Sequence, residues 1–125
     1  MTENEISKEI VDASFSIHKN LGPGLFESVY EEVMAYELDK RGLFFRRQAI
    51  IPVVYDHVKL ELGFKADIIV EDLVIVEIKS VESIASVHKK QLLTYLKLAD
   101  MKLGLLINFN TALIKDGIQR IVNGL

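Results

Sequence analysis

Gly63-Phe64-Lys65-Ala66-Asp67-Ile68-Ile69-Val70-Glu71-Asp72-Leu73-Val74-Ile75-Val76-Glu77-Ile78-Lys79 is the stretch whose reading decides the fold. Ile, Val, Leu and Phe dominate it, the side chains that suit a pleated, buried surface. It reads as two short strands joined by a tight turn at Glu71-Asp72. Three charged residues interrupt the apolar surface: Asp67, Glu77 and Lys79. Glu77 and Lys79 are two apart, so on a strand they project from one face. A hairpin folded about residues 71 and 72 brings Asp67 back near Glu77. Charges are rarely placed among β-branched residues unless they are paired or bind an ion.

Upstream of the hairpin, Val58-Lys59-Leu60-Glu61-Leu62 alternates as a half-exposed strand does. Asp56-His57 reads as a turn, with His57 solvated. Leu43 to Ile51 reads as a strand containing Arg46, Arg47 and Gln48, and Pro52 marks an edge or a strand end. Further back, Thr2 to Glu5 has the spacing of a capping box. Ile6, Ile10, Ala13 and Ile17 then form a helical stripe that stops near Asn20, before Gly22-Pro23-Gly24. A second helix is expected from Phe26 to about Arg41. Val29, Val33 and Tyr36 mark one apolar line on it, and Tyr30, Met34 and Leu38 a neighbouring one. Downstream, Ser80 to Ser86 is a connection and Val87 to Ala99 a third helix, with Val87, Gln91, Tyr95 and Leu98 along one line. Lys102 to Phe109 reads as a strand buried on both faces, ending in Asn108 and Asn110. Ile114, Ile118, Ile121 and Val122 suggest a last strand-and-helix patch. Two helices, strands, a helix and a strand imply an α/β layout: a mixed sheet with helices packed on it.

Bulk properties narrow the class. A chain of 125 residues suits one domain, spanning 1–125, and half its residues are hydrophobic, enough for a sizeable core. It contains no cysteine, which excludes disulfides and thiolate metal sites and fits a reducing, cytoplasmic setting. Met1-Thr2-Glu3-Asn4-Glu5 is acidic and polar, unlike a secretory signal. Apolar runs such as Ile68–Val70 and Leu73–Val76 are far too short to span a bilayer, so no membrane partner is expected. The net charge of −3 does not advertise a polyanion partner, although a local basic patch matters more than the total. An exposed apolar patch could make a homodimer, but periodicity does not locate one.

Asp67 and Glu77 are hard oxygen ligands suited to Mg²⁺ or Mn²⁺, which keep several waters and accept phosphate oxygens. Lys79, on the Glu77 face, could orient a water or stabilise charge developing on a phosphorus centre. The competing reading is a buried Asp/Glu/Lys ion network in which the lysine relieves the repulsion between the carboxylates. Glu27 is open between an acid that stabilises a helix start and a carboxylate pointed into a cleft. Gln91 and Tyr95 are i and i+4 neighbours, either a structural hydrogen-bond pair or part of a site. His18 reads as a surface or capping histidine, since no Ser or Cys nucleophile pattern accompanies it.

Gly24-Leu25-Phe26-Glu27-Ser28-Val29-Tyr30 resembles the signature of the GxxExxY proteins, small bacterial and archaeal proteins placed in the PD-(D/E)xK nuclease-like superfamily. The resemblance covers nearly the whole chain. It extends through Leu62–Asp67, Val76–Lys79, the Gln91/Tyr95 pair, Leu103–Phe109 and Lys115–Arg120. It implies a restriction-endonuclease-like core and metal-dependent phosphodiester hydrolysis on DNA or RNA. Asp67 would be the acid of the first half-motif, and Glu77-Ile78-Lys79 the (D/E)xK half. Glu27 would complete a metal site with Asp67 and Glu77, directly or through water. Tyr30, Gln91 and Tyr95 would support the site or touch substrate. Ala66 stands where the superfamily name has proline, a backbone-tuning position and not a ligand. Arg46, Arg47, Lys65, Lys89 and Lys90 are candidate phosphate contacts, or else ordinary solvated charge. The competing function is a non-catalytic module on the same scaffold, binding nucleic acid or protein.

Overall fold

Apolar side chains on the two faces of one sheet sort the chain into three layers. The computed structural model describes residues 1–125. Helices α1 (Glu3–Leu21) and α2 (Glu27–Lys40) precede strands β1 (Phe45–Tyr55), β2 (Val58–Val70) and β3 (Val74–Lys79). Helix α3 (Ser86–Ala99), β4 (Leu103–Asn108), a 3-10 turn at Ile114–Gly117 and β5 (Ile118–Val122) complete it. The sheet order is β1-β2-β3-β4-β5. Only β3 and β4 are parallel, with α3 as the crossover between them; the other neighbours are antiparallel. No helix is long and apolar enough to cross a membrane.

One face of the sheet carries Ile68, Val70, Val74, Val76, Ile78, Leu103, Leu105 and Ile107. It packs on Ile6, Ile10, Ala13 and Ile17 of α1 and on Tyr30, Met34 and Leu38 of α2. The other face carries Ala49, Ile51, Ala66, Ile69, Ile75 and Leu106 and packs on Leu92, Tyr95 and Leu96 of α3. Gly104 lies under Leu92, where an added Cβ would collide with the leucine side chain, so α3 sits close on β4. The capping box forms as its spacing predicts: Thr2 N–H donates to Glu5 Oε1 (2.9 Å) and Glu5 N–H to Thr2 Oγ1 (3.2 Å). The turn at Glu71-Asp72 has φ of 54° and 52° at those residues, the mirror-image turn that matches strand twist.

Three expectations shift. Residues 58–62 and 63–70 are one strand, and Pro52 lies within β1 where the register with β2 slips between Ile51 and Val53. This is tolerated because β1 is an edge strand. On α2 the buried line is Tyr30, Met34 and Leu38, while Val29 and Tyr36 are exposed. On α3 the buried stripe is Leu92, Tyr95 and Leu96, so Gln91 and Val87 face solvent. Centring α3 on Gly104 rotates that pair outward.

Candidate active site

The strands β2 and β3 part company at the residues that matter. Their ladder runs from Val70↔Val74 to Ile68↔Val76 and stops there. Ala66 packs in the α3 layer and Ile68 in the layer of α1 and α2, so regular alternation breaks between them, at Asp67. The partner strand breaks at the same level: Gln48 has φ of 48°, between the pairs Arg47↔Ile68 and Ala49↔Ala66. Glu31 on α2 accepts from the Gln48 side chain (2.7 Å), which ties this bend to α2.

Two carboxylates fill the fork so formed. Asp67 Oδ2 accepts the Ile78 N–H (2.8 Å), a donor left free where the ladder ends. Glu77 Oε2 receives a longer contact from the Asp67 N–H (3.4 Å). Glu77 is buried and Asp67 half-buried. Burial first, then the Asp67 charge, pushes the Glu77 carboxyl up to about 9. Lys79 opposes the rise as the weakest of the influences on Glu77. It forms no ion pair with either carboxylate. The closed Asp/Glu/Lys network is therefore not what stands here: two acids share a buried fork without a cation bonded between them.

Tyr95 reaches this fork from α3. Its ring lies 4.6 Å from that of Phe64, and burial, the Glu77 charge and the Asp67 charge push its hydroxyl up. Gln91, one turn earlier, is exposed at the rim and does not pair with Tyr95 in the core.

Glu27 reaches the end of β3 from the second helix. It starts α2, and its Oε2 accepts the Ser80 N–H (3.2 Å) just beyond Lys79. Ser80 Oγ donates to the Leu25 carbonyl (2.6 Å) alongside. No group of three or more His, Cys, Asp and Glu side chains lies close enough to hold an ion. The α2 terminus and the end of β3 are thus stitched together, with Glu27 positioning the segment after Lys79.

Tyr30 is fully buried and cannot touch substrate. Its ring stacks on Phe109 at 4.4 Å, its hydroxyl donates to the Gly22 carbonyl (2.6 Å), and it accepts the Leu25 N–H (3.2 Å). It anchors the glycine-rich loop that delivers Glu27. Tyr30→Phe is expected to lower stability by about 1–2 kcal/mol, read by urea denaturation, because both loop groups lose their partner. An unchanged midpoint would show that the loop is held elsewhere.

Two of the basic candidates are already engaged. Arg46 is held by Asp72 (2.9 Å), and Arg47 by Glu31 (2.9 Å) and Glu32 (3.1 Å). Both arginines remain exposed, as do Lys65, Lys89 and Lys90, which have no ion pair. Residue-by-residue reading also missed Asn108, whose side chain is buried at the end of β4. Its Oδ1 accepts the N–H of Val81 (3.0 Å) and of Asn110 (3.2 Å), and its Nδ2 donates to the Val81 carbonyl (2.9 Å). Its only sequence signal is a polar residue closing an apolar strand.

A mixed five-stranded sheet between helices, with paired acids where an antiparallel hairpin forks, defines an α/β domain of the restriction-endonuclease-like class. The sequence profile of the PD-(D/E)XK nuclease superfamily matches residues 4–121, and the chain belongs to that superfamily. No curated protein and no solved structure matches the chain.

Proposed function

We propose that this domain is a divalent-cation-dependent nuclease of the GxxExxY type, hydrolysing phosphodiester bonds of DNA or RNA at the Asp67–Glu77–Lys79 fork. The observation that carries the proposal is the buried Glu77 carboxyl beside Asp67, unpaired with Lys79 and pushed up to about 9. A pair of hard oxygen donors so placed suits Mg²⁺ or Mn²⁺, which would relieve their repulsion. Asp67 and Glu77 would hold the ion; bound there, it polarises a phosphodiester and lowers the pKa of a water.

The chain's own residues supply the rest. The Ile78 N–H fixes one Asp67 oxygen, so the other is free to face the site. Lys79 shares the strand face of Glu77 and brings a cation to charge developing on the phosphate oxygens. Glu27, through the Ser80 N–H, and Asn108, through Val81, hold the chain just after Lys79. Tyr95 closes the apolar side of the fork beside Phe64. Lys65, Lys89, Lys90 and Gln91 are exposed and available to a phosphate backbone. The cysteine-free composition is in keeping with a cytoplasmic setting.

The test combines binding and cleavage. Mg²⁺ or Mn²⁺ is titrated into wild type and Asp67→Ala, following heat and thermal shift. Single- and double-stranded DNA and RNA are then offered with the ion. Binding is expected in wild type and absent in Asp67→Ala, and Lys79→Ala is expected to cut at least ~100-fold more slowly. Equal cation response in wild type and Asp67→Ala would remove the metal site. Cation binding with no cleavage of any substrate would make this a binding module on a nuclease scaffold.

A further inference from the structure

Below the fork, β1 and β2 continue as a two-stranded arm. No third strand covers it between the Ile68 level and the turn at Asp56-His57. Along β2, Val58, Leu60 and Leu62 alternate with Lys59 and Glu61, so three apolar side chains fall on one face. Val53 and Tyr55 lie opposite Leu60 and Val58 across the strands and extend that face. These residues are far from buried: Leu62 is 95 % exposed, Tyr55 77 %, Val58 56 % and Leu60 43 %. Near its root, Phe64 packs on Tyr95 of α3, so the apolar face runs out of the core with nothing over its outer half.

We infer that this arm is a self-association surface, occupied by the same arm of a second copy of this chain packed face to face about a two-fold axis. The inference does not rest on the nuclease reading. Area is the first argument. The exposed parts of these side chains amount to roughly 500 Å² per copy, at the upper end for a patch left open on a monomer. Two such faces together bury about 1,000 Å², the threshold of a specific interface. Charge is the second. Asp56, Lys59 and Glu61 leave the arm a net charge of only −1. A polyanion gains nothing there, whereas a second copy meets little repulsion. The mode of contact follows from β1. Pro52 lacks an N–H donor, and the slip between Ile51 and Val53 bends the strand, so its edge is protected against strand addition. The outer edge of β2 is unpaired below Ile68 as well, but the same bend interrupts it, which leaves the face as the larger continuous surface. Gly63 belongs to that bend: an added Cβ would run into the Ile51 carbonyl, so the arm's set is built into the backbone.

Sedimentation equilibrium and light scattering of the full chain test this, with wild type compared with Leu62→Lys and Leu60→Lys. Leu62 is so exposed that a charge there leaves the monomer's fold intact, which circular dichroism verifies. Wild type is expected to be a dimer at micromolar concentration, and each lysine variant to associate at least ~100-fold more weakly. A wild type that stays monomeric at high concentration overturns the inference. So does a Leu62→Lys variant that remains fully dimeric. Loss of nucleic-acid binding in that variant with its dimer intact would assign the arm to substrate instead, and overturns it equally.

Discussion

Glu77→Gln is expected to leave the cation-free protein more stable than wild type while abolishing the cation binding and cleavage proposed for the fork. The sign follows from the carboxyl's shift. Folding raises the Glu77 pKa from 4.5 to about 9, so between those values the folded chain binds a proton that the unfolded chain has lost. Where the native state holds more protons, stability falls as pH rises. The contribution is fully present below the unfolded value and is lost progressively on the way up to the folded one. A neutral glutamine carries no such burden. At pH 7 the substitution is therefore worth about 3 kcal/mol, or a Tm higher by roughly 10–15 °C in a chain of this size. The advantage should be small near pH 5 and should grow to a plateau above about pH 9, in denaturation curves collected across that range. Saturating Mg²⁺ should reverse the order by stabilising wild type alone. A Glu77→Gln variant less stable than wild type at pH 7 would mean that the carboxylate is satisfied by a partner inside the fold.

The same trade explains what the sequence could reveal of this site. Charges inside a run of β-branched residues are legible, because burial penalises them wherever the strands lie. The hairpin turn is legible too, since Glu71-Asp72 falls between two apolar runs of matching length. Its two acids accept positive φ without a glycine, at 54° and 52°. The fork is not legible. The break at Asp67 depends on the backbone of Gln48, on another strand, and on Glu31 of α2, which holds the Gln48 side chain. Nothing in the spacing of residues 63–79 records that. Arg46 and Arg47 look free in the sequence because their acidic partners stand 26 and 16 residues away. Gln91 shares a helical line with Tyr95, yet the line that faces the sheet is chosen by where Gly104 lets Leu92 settle. Glu27 was visible as an acid at a helix start, and only the Gly24–Tyr30 signature tilted it towards the site. Its spacing could not say that the carboxylate spends one oxygen on the Ser80 N–H.

Asn108 carries this dependence on distant partners furthest, and Asn108→Ala is expected to damage catalysis more than stability explains. The side chain is buried, opposite Lys79 in the parallel register; two of its hydrogen bonds, both to Val81, close the loop after β3 onto the end of β4, and a third, from the Asn110 N–H, holds the turn beyond β4. The Phe109 N–H adds a third tie between the two segments, to the Lys79 carbonyl (3.0 Å). Removing the amide strands the Val81 N–H and carbonyl, for a loss of about 2–4 kcal/mol. It also loosens the residues just after Lys79. A small displacement of a positioned cation costs rate steeply, so cleavage per folded molecule should fall ~10-fold or more. Ile6→Ala is the matched control. Ile6 is fully buried in α1, in the layer away from the fork, and its truncation costs a similar amount through a cavity. At a temperature where both variants remain folded, Ile6→Ala should cleave like wild type and Asn108→Ala should not. Equal activity in the two would show that the clamp at Val81 serves only the fold, and that Lys79 is placed by the β3–β4 ladder alone.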